Sequence, residues 1–277
     1  MGAEACRKYG KPPFTVALVH GGPGGAGEMA PVARELAAFA GILEPLQREH
    51  TVQGQVQELA RALETNGTTP LIVVGYSWGA WLSMLCAADH PALIRKLILV
   101  SSGSFDATMN GALEQTRMGR LTGSEQRELL RLNRLLEGPA TEESRKAFGR
   151  LGQIFERADA FDPDPALGGN EEASFDIFRA VWREGAELRR TGELLSRSAA
   201  VRCPVVAIHG EADPHPVEGV RMPLSSVIAD FRLVLLERCG HKPWIERQAR
   251  ESFFACLRAE LMEAGQARNA PQVRRPD

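Results

Sequence analysis

Six short apolar runs do most to restrict what this chain can become: Phe14 to Val19, Gly41 to Leu43, Leu71 to Val74, Leu97 to Val100, Val205 to Ile208 and Leu233 to Leu236. Most are nearly continuous rather than alternating with polar residues. A strand covered on one face alternates; a strand covered on both does not. Amphipathic stretches separate the runs. In "TVQGQVQELARALETNG", Val52, Val56, Leu59 and Leu63 fall on one helical stripe, Thr51 offers an N-cap oxygen and Gly67 a C′ stop. Strands alternating with such helices predict right-handed crossovers and a mostly parallel sheet of about six strands with helices on both faces.

With 277 residues, 44% of them hydrophobic, the chain can bury a sizeable core. A formal charge of -2, mixed in sign along the chain, gives no reason to expect nucleic acid or an anionic membrane as partner. The five cysteines, Cys6, Cys86, Cys203, Cys239 and Cys256, include no C-x-x-C pair suited to zinc or redox chemistry. The N-terminal residues are polar and lead straight into a strand, without a signal segment or a long apolar span, so a cytoplasmic location is expected.

From Ser104 to Ala200 the strand pattern lapses. "LTGSEQRELLRLNRLLEG" carries a Thr122-x-x-Glu125 capping box ahead of a leucine stripe, and "TEESRKAFGRLGQIFERADAF" and "SFDIFRAVWREGAEL" are amphipathic. The expected organisation is therefore a core over 12–103 and 201–265, a helical insertion over 104–200, and a disordered tail over 266–277.

Chemistry enters at "VVGYSWGAWLSML", where Gly75-Tyr76-Ser77-Trp78-Gly79 matches G-x-S-x-G behind a strand and ahead of a helix-compatible run. In such an elbow a strained turn lifts the serine hydroxyl above the end of the sheet, and the glycines let neighbouring backbone approach. A serine hydroxyl needs a base, and the base needs a third group to orient it. Elbow enzymes supply them in the order Ser, acid, His. "PVVAIHGEADPHP" places Asp213 after one strand and "LVLLERCGHKPW" places His241 after another. Glu211 and Asp106 are rival acids, the latter because it follows the strand ending near Val100. Among the other histidines, His50 and His90 belong to helical surfaces, and His20 and His209 precede glycines at strand ends. His209 and His215 stand too near Asp213 in sequence to be its oriented partner.

The turn "TVALVHGGPGGAGEM" has two readings. Gly22, Gly24 and Gly27 fit G-x-G-x-x-G, and Glu44 stands where a ribose-binding carboxylate would, which is a dinucleotide pattern. Yet neither tyrosine, Tyr9 or Tyr76, has a lysine four residues on. The other reading is an oxyanion hole, with one donor from the amide after the nucleophile, Trp78, and one from a glycine-rich loop after an earlier strand. Pro23 has no N–H, so Gly22 is the expected second donor, with Gly21 and Gly24 behind it. That reading also accounts for Ser77, Asp213 and His241, and requires neither metal nor organic cofactor.

With "HGGPG", "GYSWG", "HGEAD" and "CGH" in this order, the chain from about Phe14 to Leu261 resembles the α/β-hydrolase superfamily. Within it, the "HGGPG" loop and "SWG" elbow are most similar to the proline iminopeptidases and related hydrolases. The resemblance implies the α/β-hydrolase fold, with the 104–200 insertion as a helical cap over the three residues. There are two departures. "GILEPLQREHTVQGQ" lacks the Asp-Gln-Arg-Gly-type segment of the iminopeptidases, and only thirteen residues precede the first run, so the antiparallel hairpin that often opens the superfamily sheet is expected to be missing. In the insertion, Phe148, Phe155, Phe161, Phe175, Phe178 and Trp182 either line a pocket or pack helices together. Iminopeptidase-like enzymes hold a free amine with cap carboxylates, and Glu171, Glu172 and Glu184 stand in that segment without a matching motif.

The function expected is hydrolysis of small esters, amides or short peptides through an acyl-enzyme. Competing readings are a prolyl aminopeptidase, a carbon-carbon bond hydrolase, haloperoxidase-like side activity, a non-catalytic ligand receptor and a dinucleotide-binding protein.

Overall fold

A computed structural model describes residues 5–167 and 173–269. One sheet holds seven strands: β1 (Cys6–Tyr9), β2 (Phe14–Val19), β3 (Gly41–Pro45), β4 (Leu71–Tyr76), β5 (Ile94–Val100), β6 (Val205–Gly210) and β7 (Phe231–Leu236). Their spatial order is β1-β3-β2-β4-β5-β6-β7. The six expected strands are β2 to β7, and every pairing among them is parallel. The additional β1 corrects the expectation that no antiparallel strand opens the sheet. It runs against β3 with Cys6 opposite Pro45 and Tyr9 opposite Ile42. Its four residues include exposed Arg7 and Lys8, the charged and short form that an edge strand takes.

The helices are α1 (Ala30–Leu36), α2 (Val52–Asn66), α3 (Trp78–Asp89), α4 (Asn110–Arg120), α5 (Gly123–Glu137), α6 (Glu142–Asp159), α7 (Phe175–Arg190), α8 (Glu193–Ser198), α9 (Glu218–Val227) and α10 (Arg250–Asn269). Alternate strand residues serve two cores, which is why the runs look continuous. Val19, Val73, Leu97, Leu99 and Ala207 meet α2, α3 and α9 on one face. Leu18, Ile72, Val74, Ile98 and Ile208 meet α1 and α10 on the other. Thr51 caps α2 by accepting the Gly54 N–H at 3.0 Å. Gly67 ends it in an extended conformation, φ -100°, rather than as a left-handed stop.

Helices α4 to α8 lie between β5 and β6. The Thr122–Glu125 capping box opens α5. Residues of α5 and α6 share a small core of their own with Leu121: Leu129, Leu132, Ala147, Leu151, Ile154 and Ala158. In contrast, α7 and α8 join the first sheet core through Val181 and Leu194. Helix α10 continues to Asn269, past the boundary expected at 265; the rest of the expected tail, 270–277, lies outside the described residues. Among the described residues no helix is long and apolar enough to cross a membrane.

Candidate active site

The loops that matter all leave the C-terminal ends of parallel strands, the end at which open α/β sheets bind ligands. Ser77 follows β4 directly, with φ 51° and ψ -114°, and its N–H donates to the Val100 carbonyl at 3.0 Å. The glycines two residues to either side are sterically required. A Cβ on Gly75 would stand 2.3 Å from the Gly79 carbonyl oxygen, and one on Gly79 would stand 2.4 Å from that of Val19. The turn therefore holds the hydroxyl at the head of α3 in a left-handed conformation that serine rarely adopts.

His241, on the loop after β7, places Nε2 3.2 Å from Ser77 Oγ and Nδ1 2.7 Å from Asp213 Oδ2. With the Nδ1 proton donated to the carboxylate, Nε2 of the neutral ring accepts from the serine hydroxyl. The Asp213 side chain is fully buried in the loop after β6. Burial opposes ionisation there, but the surrounding histidines outweigh it and hold the carboxyl well below the usual carboxylate range. For His241, burial disfavours the imidazolium, and the charge and hydrogen bond of Asp213 outweigh that to raise its pKa.

The rival acids lie elsewhere. Asp106 accepts the Thr108 N–H at 2.9 Å as the cap of a short turn, and Glu211 is exposed. His20 is buried in a structural role, its Nδ1 donating to the Gly21 carbonyl at 2.8 Å while Nε2 accepts from Gln47 N–H at 3.3 Å.

The dismissal of His215 as a partner of Asp213 is corrected. Asp213 Oδ1 accepts both the N–H and the Nδ1–H of His215, each at 2.9 Å. The carboxylate folds the chain back in an Asx-type turn, which brings the side chain two residues on beside it. The His215 ring then stacks on that of His241, 4.4 Å between centroids at 23°. Burial, with the neighbouring His241 charge, pulls the pKa of His215 down to about 4. His209 approaches Asp213 Oδ2 at 3.6 Å and donates Nε2–H to the His215 carbonyl at 2.9 Å. Asp213, His215 and His241 also bring one potential metal-ligating atom each within 4.8 Å of one another. Their Nδ1 atoms, however, are engaged as donors to the carboxylate at 2.7 and 2.9 Å, an arrangement of hydrogen bonds rather than of ligands around an ion.

Two further acidic residues, absent from the sequence reading, fix the His241 loop. Buried Glu246 accepts the N–H groups of Gly240, Phe161 and Asp162 at 2.9, 2.8 and 2.7 Å. The Asp159 carbonyl accepts the His241 N–H at 2.9 Å, while its carboxylate takes the Arg117 guanidinium, Nε at 2.7 Å. The sequence pattern holds no local signal for either, because their partners come from distant segments.

In the glycine-rich turn, the Gly21 N–H donates to Glu28 Oε2 at 3.1 Å. Gly22, at φ 110°, lines the space around Ser77, and its N–H meets no acceptor among the described residues. The Trp78 amide, at the first position of α3, likewise has no intrahelical acceptor. Gly24 packs against α7, its carbonyl accepting from Ser174 N–H at 3.0 Å. A Cβ on Gly27 would meet Arg7 at 2.8 Å, and Glu44 is taken by the Tyr9 hydroxyl at 2.7 Å. Of the residues in the dinucleotide pattern, Gly24 therefore packs against α7, Gly27 and Glu44 of β3 against β1, and Gly22 faces Ser77.

Two cavities meet at Ser77, sharing Gly22, Phe148, Gly152 and His241. The larger, about 730 Å³, is mostly apolar and includes Trp81, Leu151, Phe155, Phe178 and Trp182. The smaller, about 510 Å³, carries Glu28, Glu156, Asp159 and Lys242. Phe148, Phe178, Trp182 and Trp81 form a continuous aromatic wall, with the last two rings stacked at 5.9 Å and 5°. Phe175 packs behind Phe148 at 5.3 Å, and Phe161 is exposed. Of the three insertion carboxylates that lack a matching amine-holding motif, Glu184 accepts the Val52 N–H at 2.8 Å, and Glu171 and Glu172 lie outside the described residues.

Known proteins bear on the fold. Solved structures that superpose over nearly the whole chain include a proline iminopeptidase from Mycobacterium smegmatis, 17% identical, covering 95% of each chain with a TM-score of 0.60. A monoacylglycerol lipase from Paleococcus ferrophilus is 18% identical, covering 93% of this chain and 98% of its own with a TM-score of 0.60. A thermophilic esterase from Thermogutta terrifontis is 19% identical, covering 94% and 93% with a TM-score of 0.61. At such identities the likeness carries the fold alone. No curated protein sequence gives a significant match. The profile of the alpha/beta hydrolase family matches residues 16–254, and the chain belongs to that family.

Proposed function

We propose that this protein is a serine hydrolase of small esters, amides or short peptides, with Ser77, His241 and Asp213 as its catalytic triad. One observation carries the reading: an unbroken relay of 3.2 Å from hydroxyl to imidazole and 2.7 Å from imidazole to buried carboxylate, on an elbow strained at φ 51°. His241 takes the Ser77 proton as the oxygen attacks the carbonyl, and Asp213 stabilises the imidazolium that forms. The amides of Gly22 and Trp78 hold the tetrahedral oxyanion. His241 then protonates the leaving group, and water repeats the sequence to release the acid.

His215 acts as a positioning residue, fixing the second oxygen of Asp213 and covering one face of His241. The helices from 104 to 200 serve as the cap over the 12–103 and 201–265 core, closing the two cavities over the serine. Within the smaller cavity Lys242 pairs with Glu28 and Glu156 at 3.1 Å each, so these carboxylates do not stand ready for a substrate amine. That favours an esterase or amidase over an aminopeptidase. The test is labelling with a fluorophosphonate followed by identification of the modified residue. Modification at Ser77, lost in Ser77→Ala, is the expected result; an unlabelled protein overturns the reading.

A further inference from the structure

Among the described residues four cations, Arg145, Lys242, Arg117 and Arg189, line the two cavities, and three have counter-charges. Arg145 pairs with Asp176 at 3.0 Å, Lys242 with Glu28 and Glu156 at 3.1 Å, and Arg117 with Asp159 through Nε at 2.7 Å. Arg189, near the end of α7, is the exception. Its guanidinium lines the larger cavity with Cζ 5.2 Å from the centre of the Trp81 ring, and its buried Nε has no hydrogen-bond partner. Among the described residues no carboxylate pairs with it. The acids of its own helix are engaged: Asp176 with Arg145, Glu184 with the Val52 N–H at 2.8 Å, and Glu187 with Arg190. Among the described residues Glu114 is the one carboxylate lining this cavity, and it makes no ion pair with Arg189.

A guanidinium keeps its charge even when partly desolvated, and a desolvated charge without a partner is costly to maintain. Burial lowers its pKa with no carboxylate acting in the opposite sense. An arriving anion would relieve that cost inside a mostly apolar chamber that opens on Ser77. The planar fork of donors suits a carboxylate, and one unpaired cation balances one negative charge rather than two.

We infer that Arg189 is the receptor for a distal carboxylate on the substrate, whose chain fills the aromatic cavity while its ester or amide carbonyl lies at Ser77. The inference rests on the proposed function for the position of the carbonyl. It makes Arg189 a specificity-determining residue, with no part in the chemical steps.

Two matched pairs of esters test it. One carries the anion on the acyl side, the nitrophenyl monoester of suberic acid against nitrophenyl octanoate. The other carries it on the alcohol side, the butyrate ester of omega-hydroxyheptanoate against heptyl butyrate. In one pair the anionic member should be favoured in kcat/KM by about 10- to 100-fold, the size of one charge-assisted hydrogen bond. Arg189→Met should abolish that preference and Arg189→Lys should restore part of it, the ratio within each pair being the readout. Equal rates within both pairs, or a preference that survives Arg189→Met, overturn the inference.

Binding gives a second readout that does not need turnover. Calorimetry on the Ser77→Ala protein compares monomethyl suberate with dimethyl suberate, before and after adding Arg189→Met. Selective loss of affinity for the monoester supports the receptor; equal affinities in the Ser77→Ala protein, or a loss shared by both ligands, overturn it. Should none of the four esters be hydrolysed, fluorophosphonate labelling still decides the proposed function, and this comparison still decides the role of Arg189.

Discussion

The sheet side of the site and the insertion side are built to different tolerances. Strands β4 and β6 are buried at every residue, and the elbow between β4 and α3 leaves no room for a single Cβ at Gly75 or Gly79. On the other side, α4 has no buried residue, and α5 buries only Leu129 and Leu132. The proposed triad thus rides on the closely packed part of the molecule. The cavity walls ride on amphipathic helices with a small core of their own, where substitutions alter shape at lower cost. On the proposed function, the chemistry would be set by one region and the choice of substrate by the other, the usual division between a scaffold and the segments mounted on it.

Ser77→Ala should break the chemical side most completely, lowering kcat/KM by about 10⁴-fold or more while the melting temperature holds. An unchanged rate in steady-state assays would remove the sheet side from catalysis. Next comes a paired test of the tolerances. Gly79→Val should destabilise by roughly 4 kcal/mol or more and prevent soluble expression, since its side chain has only backbone to meet. Leu132→Ala, buried in the insertion, should cost about 2–3 kcal/mol in denaturant unfolding and change relative rates across a series of acyl lengths. Equal losses would mean that the two regions are one cooperative body.

The smallest effects are those of pH. Asp213 raises the pKa of His241 above its ordinary 6.5, and the base must be neutral, so log kcat/KM should climb with pH on a limb centred above 6.5. For stability, the paired imidazolium of His241 contributes fully below 6.5 and its contribution fades as pH rises through the raised value. His215 has the opposite sign. Its folded pKa of about 4 lies below the ordinary 6.5, so its contribution is present above 6.5 and is lost as pH falls toward 4. Depressed Asp213 loses its contribution only at still lower pH. Thermal unfolding between pH 6.5 and 4 should therefore weaken by about 2 kcal/mol, and His215→Asn should flatten that decline.

How much could be read beforehand divides along the same line. Strands β2 to β6 are legible because burial on both faces leaves an unbroken apolar run, β7 from its Leu and Val residues although Leu235 is exposed, and Ser77 because its glycine neighbours are a steric necessity. The charged strand β1 hides because an edge is built to resist pairing. His215 is missed because sequence proximity to Asp213 suggests a poor partner, while an Asx-type turn makes it a close one. Arg189 is a different case: its chemical type is plain, but whether a carboxylate meets it depends on where α7 lies in three dimensions. Glu246 and Asp159 likewise acquire their roles only when remote backbone arrives.

Glu246 ties the amide of Gly240, next to His241, to those of Phe161 and Asp162 just beyond α6. On the proposed mechanism, loss of Glu246 would loosen the His241 loop and that end of the insertion together. The placement of His241 and the packing of that end of the insertion therefore share one buried carboxylate.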